Sequence, residues 1–241
     1  MRDNAGHADF RPTHWSAVVL AARGDAPGSA AAMEELCRTY WYPLYVFARR
    51  RGLAAEHAAD VTQDFFLRII EHDGLGKVDP AKGRFRSFLL ATMTHVLDDD
   101  TRRAGTLKRG GGRVPVSLDV PGAELRFLQE PATAPPEMEF DRQWAEALVA
   151  RALERVRLEW ERGDAAGGRF AALRPFLLLG RDGGRLTEIA AGLGMTEAAA
   201  RSLVHRLRVR FRDLLRAEVA QMVPPGEAEE ELRYLLNALS A

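Results

Sequence analysis

The residues best suited to chemistry crowd into the stretch from Arg201 to Arg212: Arg201, Ser202, His205, Arg206, Arg208, Arg210 and Arg212. Helical spacing would place them along or beside one face. Guanidinium groups bind phosphates and pair bidentately with guanine in a DNA major groove. A second group, Asp60, Gln63 and Asp64, would form an acidic and amide face suited to a basic protein partner, with Phe66 exposed beside it. Adding His57 to Asp60 and Asp64 makes a possible metal set at i, i+3 and i+7. Di-iron bundles, however, need paired Glu-x-x-His motifs on facing helices, and none is present. Gly110 to Gly112 lacks the strand-loop-helix setting and the Lys-Ser/Thr ending of a phosphate loop. No nucleophilic triad is suggested either. These absences predict a protein that is not an enzyme and needs no cofactor.

The elements that must position the basic face are legible on either side of it. Thr187 is a candidate cap for a short helix ending near Gly194, where a left-handed turn is tolerated. Thr196 can cap a longer helix bearing Ala200, Leu203, Val204, Leu207, Phe211, Leu214 and Leu215 on one side. Ala190, four residues before Gly194, is small enough to let two helices approach. An arginine run alone would fit a solvated amphipathic face. With two caps, a turn glycine and a small residue, the stretch Leu186 to Arg216 reads as a helix-turn-helix.

The chain has 241 residues, 46% of them hydrophobic, so it can bury a core. Lys+Arg and Asp+Glu number 34 each, so DNA binding requires segregated charge. Segregation is visible: Arg102, Arg103, Lys108, Arg109 and Arg113 follow one another without acids, while Glu227, Glu229, Glu230 and Glu231 dominate the tail. Cys37 is the only cysteine, which excludes an intrachain disulfide. Neither a secretory pattern nor an apolar run near the roughly 20 residues that span a bilayer is present, so a cytoplasmic protein without membrane contact is expected.

Nearly everything else has helical periodicity, which predicts an all-α fold of two helical domains joined by a long basic linker, the second containing the helix-turn-helix. Residues 1–29 form an extension with a short helix from Thr13 to about Gly24. Residues 30–104 form a bundle of three helices, the first kinked or interrupted at Pro43, with most of Tyr40, Trp41, Tyr42, Tyr45 and Phe47 in its core. Residues 105–136, punctuated by Gly and Pro, form the linker, with Val114 to Leu118 as a short extended piece. Residues 137–222 carry a long helix, a shorter one and the helix-turn-helix, and residues 223–241 an acidic amphipathic tail. The tail leucines need a partner face, so two readings stand: a tail packed on the protein or a partner, where it could restrain DNA binding, or a frayed solvated end.

Asp60-Val-Thr-Gln-Asp-Phe-Phe-Leu-Arg68, then Gly83-Arg-Phe-Arg-Ser-Phe-Leu89 with Asp99 and Arg102-Arg103, and then Leu186 to Arg216 stand in an order that resembles bacterial RNA polymerase sigma factors. The resemblance is closest to the small two-domain extracytoplasmic-function group. It implies that Asp60, Gln63 and Asp64 dock on core RNA polymerase. It implies that Arg86, Ser87, Asp99, Arg102 and Arg103 meet the minus-ten element of promoter DNA. Arg201, Ser202, His205, Arg206 and Arg208 would read the minus-thirty-five element. The implied function is promoter recognition and transcription initiation, with an anti-sigma protein or other regulator as a candidate further partner. His95, where the family often carries Asn, and the acidic triplet Asp98-Asp99-Asp100 depart from the pattern. The competing reading is a helix-turn-helix transcriptional regulator that acts without docking on core polymerase.

Overall fold

The computed structural model describes residues 27–71, 83–104, 120–131, 134–161, 168–178 and 183–240. The expected helix between Thr13 and Gly24, the extended piece at 114–118 and the linker cations Lys108, Arg109 and Arg113 lie outside the described residues. Among those described, all regular structure is helical: α1 (Ser29–Arg50), α2 (Ala55–Glu71), α3 (Phe85–Ala104), α4 (Val120–Gln129), α5 (Pro136–Glu161), α6 (Arg169–Leu173), α7 (Pro175–Leu178), α8 (Gly183–Gly192), α9 (Glu197–Ala220) and α10 (Ala228–Ala238). The chain divides into two compact units, one of residues 1–147 with 220–241, the other of residues 148–219. No helix of the described residues is long and apolar enough to cross a membrane.

The first unit is built on aromatic packing. Tyr40 of α1 stacks on Trp144 of α5 at 4.4 Å between ring centroids and meets Phe85 of α3 edge-on at 5.4 Å. Phe140 lies 5.7 Å from Trp144 and 6.1 Å from Phe47. Such pairs contribute about 0.5–1.5 kcal/mol each beyond the area they bury. They also explain why α1 runs on through Pro43, where a kink or an interruption was expected. Proline removes one backbone donor, but the flanking Tyr40, Trp41, Leu44, Tyr45, Val46 and Phe47 are all buried, and their packing holds the helix together. The helix stops at Gly52 (φ +96°), where Leu53 N–H reaches the Ala48 carbonyl at 3.3 Å and Gly52 N–H that of Arg49 at 3.0 Å. Cys37 is 1% exposed, and burial pushes its thiol up to about 11.

On α2 the residues Ala58, Val61, Thr62, Phe65, Phe66 and Ile69 are buried, a two-row stripe at helical spacing. Phe66 is therefore 3% exposed and not the surface residue its setting suggested. The second row is disguised by Thr62, which hides its hydroxyl by donating to the Ala58 carbonyl at 2.7 Å.

The stretch 105–136, expected to be irregular, contains α4. Pro121 falls in its first turn, where a missing N–H costs nothing, so it starts the helix instead of breaking it. Phe127 is buried, with the guanidiniums of Arg49 and Arg50 over its ring at 4.7 and 4.4 Å. Glu124 accepts from Arg49 at 2.8 and 3.0 Å and from the Tyr45 hydroxyl. Arg126 lies 3.9 Å over the Tyr42 ring and pairs with Glu130 and Glu146.

The second unit buries Leu148, Ala152, Leu153 and Val156 of α5, Phe170 and Leu173 of α6, Phe176 and Leu177 of α7, Leu186 and Ala190 of α8, and the apolar face of α9. Glu218 of α9, 1% exposed, is neutralised by Arg151, at 3.1 Å, and by Arg155. A carboxylate can stay charged at that depth only because paired guanidiniums replace its water.

Candidate nucleic-acid interface

In the second unit the turn between α8 and α9 is closed by backbone bonds. Gly194 N–H donates to the Ala191 carbonyl and Met195 N–H to that of Ala190, both at 3.0 Å, with Gly194 at φ +65°. This 5→2 and 6→1 pair is a Schellman closure, which requires a left-handed residue at Gly194. Ala190 is 1% exposed, consistent with the close packing expected of it. Thr196 caps α9, its Oγ1 accepting from Ala199 N–H at 3.2 Å. Thr187 does not cap α8, because that helix begins a turn earlier at Gly183; its hydroxyl lies 2.9 Å from Glu197 Oε2 instead.

The outer face of α9 presents Arg201, Ser202, His205 and Arg206, all exposed, along an open groove that Ala199 and Leu203 also line. Among the described residues neither His205 nor Arg206 has a partner. Arg201 pairs with Glu197 one turn back. Ser202 donates to the Ala198 carbonyl at 3.0 Å. The other arginines divide differently. Arg208 is half-buried, its Nε donating to the Phe176 carbonyl at 2.8 Å, so it fastens α7 to α9. Arg210 makes a two-pronged pair with Glu159 of α5 at 2.7 and 2.8 Å, which holds its guanidinium above its ordinary pKa.

In the first unit, Asp60 is exposed and Gln63 and Asp64 are half-exposed on the side of α2 away from its buried stripe. All three side chains are unpartnered among the described residues, so they are open to a protein surface. His57, which might have joined Asp60 and Asp64 around a metal, instead places Nε2 2.8 Å from Asp100 of α3. Asp99 takes Arg68 at 3.0 Å and Arg102 at 3.5 Å. Two members of the acidic triplet are thus engaged by side chains of α2 and α3. Ser87 and Arg102 are exposed; the side chain of Arg103 lies outside the described residues.

Arg86 is turned into the unit. Its side chain is 11% exposed, with NH1 2.5 Å from Asp141 Oδ1, Nε 3.1 Å from Glu231 Oε1, and its guanidinium 4.7 Å from the centre of the Tyr234 ring. Burial works against its charge, and the carboxylates of Asp141 and Glu231 overcome that and hold it above its ordinary pKa. The Tyr234 hydroxyl donates to Asp141. Next to it, Arg84 meets Glu227, Glu230 and Glu231 at 3.1, 2.9 and 3.0 Å. Arg86, expected to face DNA, is in this arrangement engaged by α10 and Asp141. No local pattern around Gly83 to Leu89 signals this; the acids come from well over a hundred residues further on, apart from Asp141.

Residues 36–106, from within α1 past the end of α3, match a family model described as sigma-70 region 2. No curated protein and no solved structure matches the chain significantly.

Proposed function

We infer that a chain carrying sigma-70 region 2 over residues 36–106 is a sigma-70-family sigma factor, a non-enzymatic protein that binds core RNA polymerase and promoter DNA. The finer reading is an extracytoplasmic-function type acting in the cytoplasm, whose first unit docks on polymerase and meets the minus-ten element. Its second unit reads the minus-thirty-five element through a helix-turn-helix. The observation that carries the polymerase reading is the family match, which falls on the three helices that hold Asp60, Gln63, Asp64, Ser87 and Arg102.

The division of labour follows from the side chains. Asp60, Gln63 and Asp64 contribute an unpaired acidic patch to a basic polymerase surface. Arg102, Arg103 and Ser87 contact the minus-ten region, with Asp99 orienting Arg102. Arg201, Ser202, His205 and Arg206 face the major groove, while Arg208 positions the helix that carries them. Docking energy on DNA then comes mainly from phosphate contacts, so binding weakens steeply with salt. Bond formation belongs to the polymerase.

Run-off transcription with purified core polymerase across a promoter library tests this directly. Specific transcripts are expected with the chain and none without it. Failure of the chain to bind core polymerase in a pull-down would instead favour a DNA-binding regulator. The triple substitution Asp60→Ala, Gln63→Ala, Asp64→Ala should abolish initiation while leaving DNA binding by the second unit intact.

A further inference from the structure

We propose that α10 is a built-in acidic competitor of DNA, which masks Arg84 and Arg86 until it is displaced. This rests on the sigma-factor reading above, in which the start of α3 belongs to the promoter-contacting surface. The two guanidiniums are the only described cations between Gly83 and Ser87, and both are taken. Arg84 and Arg86 together face Glu227, Glu230, Glu231 and Asp141, so four carboxylates oppose two cations. Neutrality at this patch would need two. With the tail in place, a phosphate approaching it meets net negative charge. With the tail removed, Asp141 alone opposes both guanidiniums and the patch turns positive.

The geometry is that of phosphate recognition carried out by carboxylates. Arginine binds planar or tetrahedral oxyanions through several N–H donors at once, and carboxylate and phosphate compete for the same fork. Arg84 donates from Nε to Glu227 and from NH2 to Glu230, and its NH1 lies 3.0 Å from Glu231 Oε2, all three glutamates within one helix turn. Arg86 adds Nε to Glu231 and lies over the Tyr234 ring from the same helix. Displacing α10 therefore releases Arg84 from its three glutamates and leaves Arg86 with Asp141 alone, in a single step.

The attachment is graded in a way that suits release. Glu231 and Leu235 are buried, whereas the side chains of Glu227 and Glu230 are 41% and 70% exposed and water-accessible. Upstream of α10, Met222 anchors the chain independently: its carbonyl accepts from Phe85 N–H at 2.8 Å and its sulfur from the Tyr40 hydroxyl at 3.7 Å. Pro224, Pro225 and Gly226 (φ +93°) separate that anchor from the helix. The helix can thus leave while residues 222–223 stay in place.

The experiment compares the full chain, a chain ending at Val223 and the double variant E227Q/E230Q. Each is titrated against a fluorescent forked DNA carrying a single-stranded segment, over a series of salt concentrations and without polymerase. The double variant should bind about two- to fivefold tighter, the effect of removing exposed charge pairs. The truncated chain should bind about tenfold tighter, with a salt slope steeper by about 0.7 for each phosphate contact regained on a single strand. Equal affinity and equal slope in all three would overturn the masking. Should truncation unfold the first unit, seen by circular dichroism, the double variant decides alone, because its side chains lie outside the core. Truncated and doubly substituted chains that drive no run-off transcription while binding DNA more tightly would refute the sigma reading and keep the mask. The opposite outcome would refute the mask alone.

Discussion

Replacing Arg206 by alanine should weaken promoter binding, and replacing Arg210 on the same helix should not. Both are exposed arginines four residues apart, and composition cannot separate them. Arg206 has no described partner, so its truncation removes only what DNA supplies. If it pairs bidentately with a guanine, the loss is about 1–3 kcal/mol, or roughly 5- to 140-fold in affinity. If it meets a phosphate, affinity falls on all sequences alike and the salt slope becomes shallower by about 0.9. Arg210 is already engaged by Glu159 at 2.7 and 2.8 Å, with side chains 52% and 36% exposed. Its loss should cost only the 0.2–1 kcal/mol or so of an exposed ion pair, seen as stability and not as affinity. Fluorescence anisotropy with a labelled cognate duplex and a scrambled one, at several salt concentrations, measures both quantities. A DNA-binding defect in R210A equal to that of R206A, or none in R206A, would refute the assignment of this face.

Glu218→Ala should destabilise the second unit by about 2–3 kcal/mol in urea unfolding, less than the full cost of breaking a buried pair because Arg151 and Arg155 are each about a quarter exposed. A change below about 0.5 kcal/mol would mean that Glu218 is not the electrostatic centre of that unit. Gly194→Ala should cost about 1–2 kcal/mol and reduce duplex affinity: its φ of +65° penalises any Cβ, although no atom lies within 4 Å to clash with one. Acid should loosen α4. Hydrogen bonds from Arg49, chiefly, and from Tyr45 hold the Glu124 carboxyl below the usual carboxylate range despite partial burial. A folded-state value below the unfolded one stabilises fully above the unfolded pKa and is lost as pH falls through the folded value, so proteolytic cutting within 120–129 should rise at low pH in the parent. In Glu124→Gln that rise should be absent and cutting should be faster at neutral pH.

The helices themselves were legible in the sequence because their signals are local. Apolar residues three and four apart mark α2, α3, α5 and α9, and Thr196 and Gly194 mark the turn before α9 with the chemistry such a turn needs. What misled was local chemistry read without its neighbours. Pro43 looked like a kink or a break until aromatic packing outweighed it, Pro121 like a breaker where it starts a helix, and Phe66 like a surface residue where it is buried.

Charge is where tertiary structure decided most. The sequence alone supplied an arginine-rich face on α9, an acidic patch on α2, a basic stretch near Arg102 and a glutamate-rich tail. It could not say which charges face water and which face one another, because a guanidinium reaches about as far as a carboxylate whatever their separation along the chain. Folding brought Glu231 and Asp141 onto Arg86, Glu159 onto Arg210 and Asp99 onto Arg68, and left Arg206 and Asp60 open. A residue type and its periodicity define what a side chain can bind; only the folded chain determines whether an internal partner has bound it first.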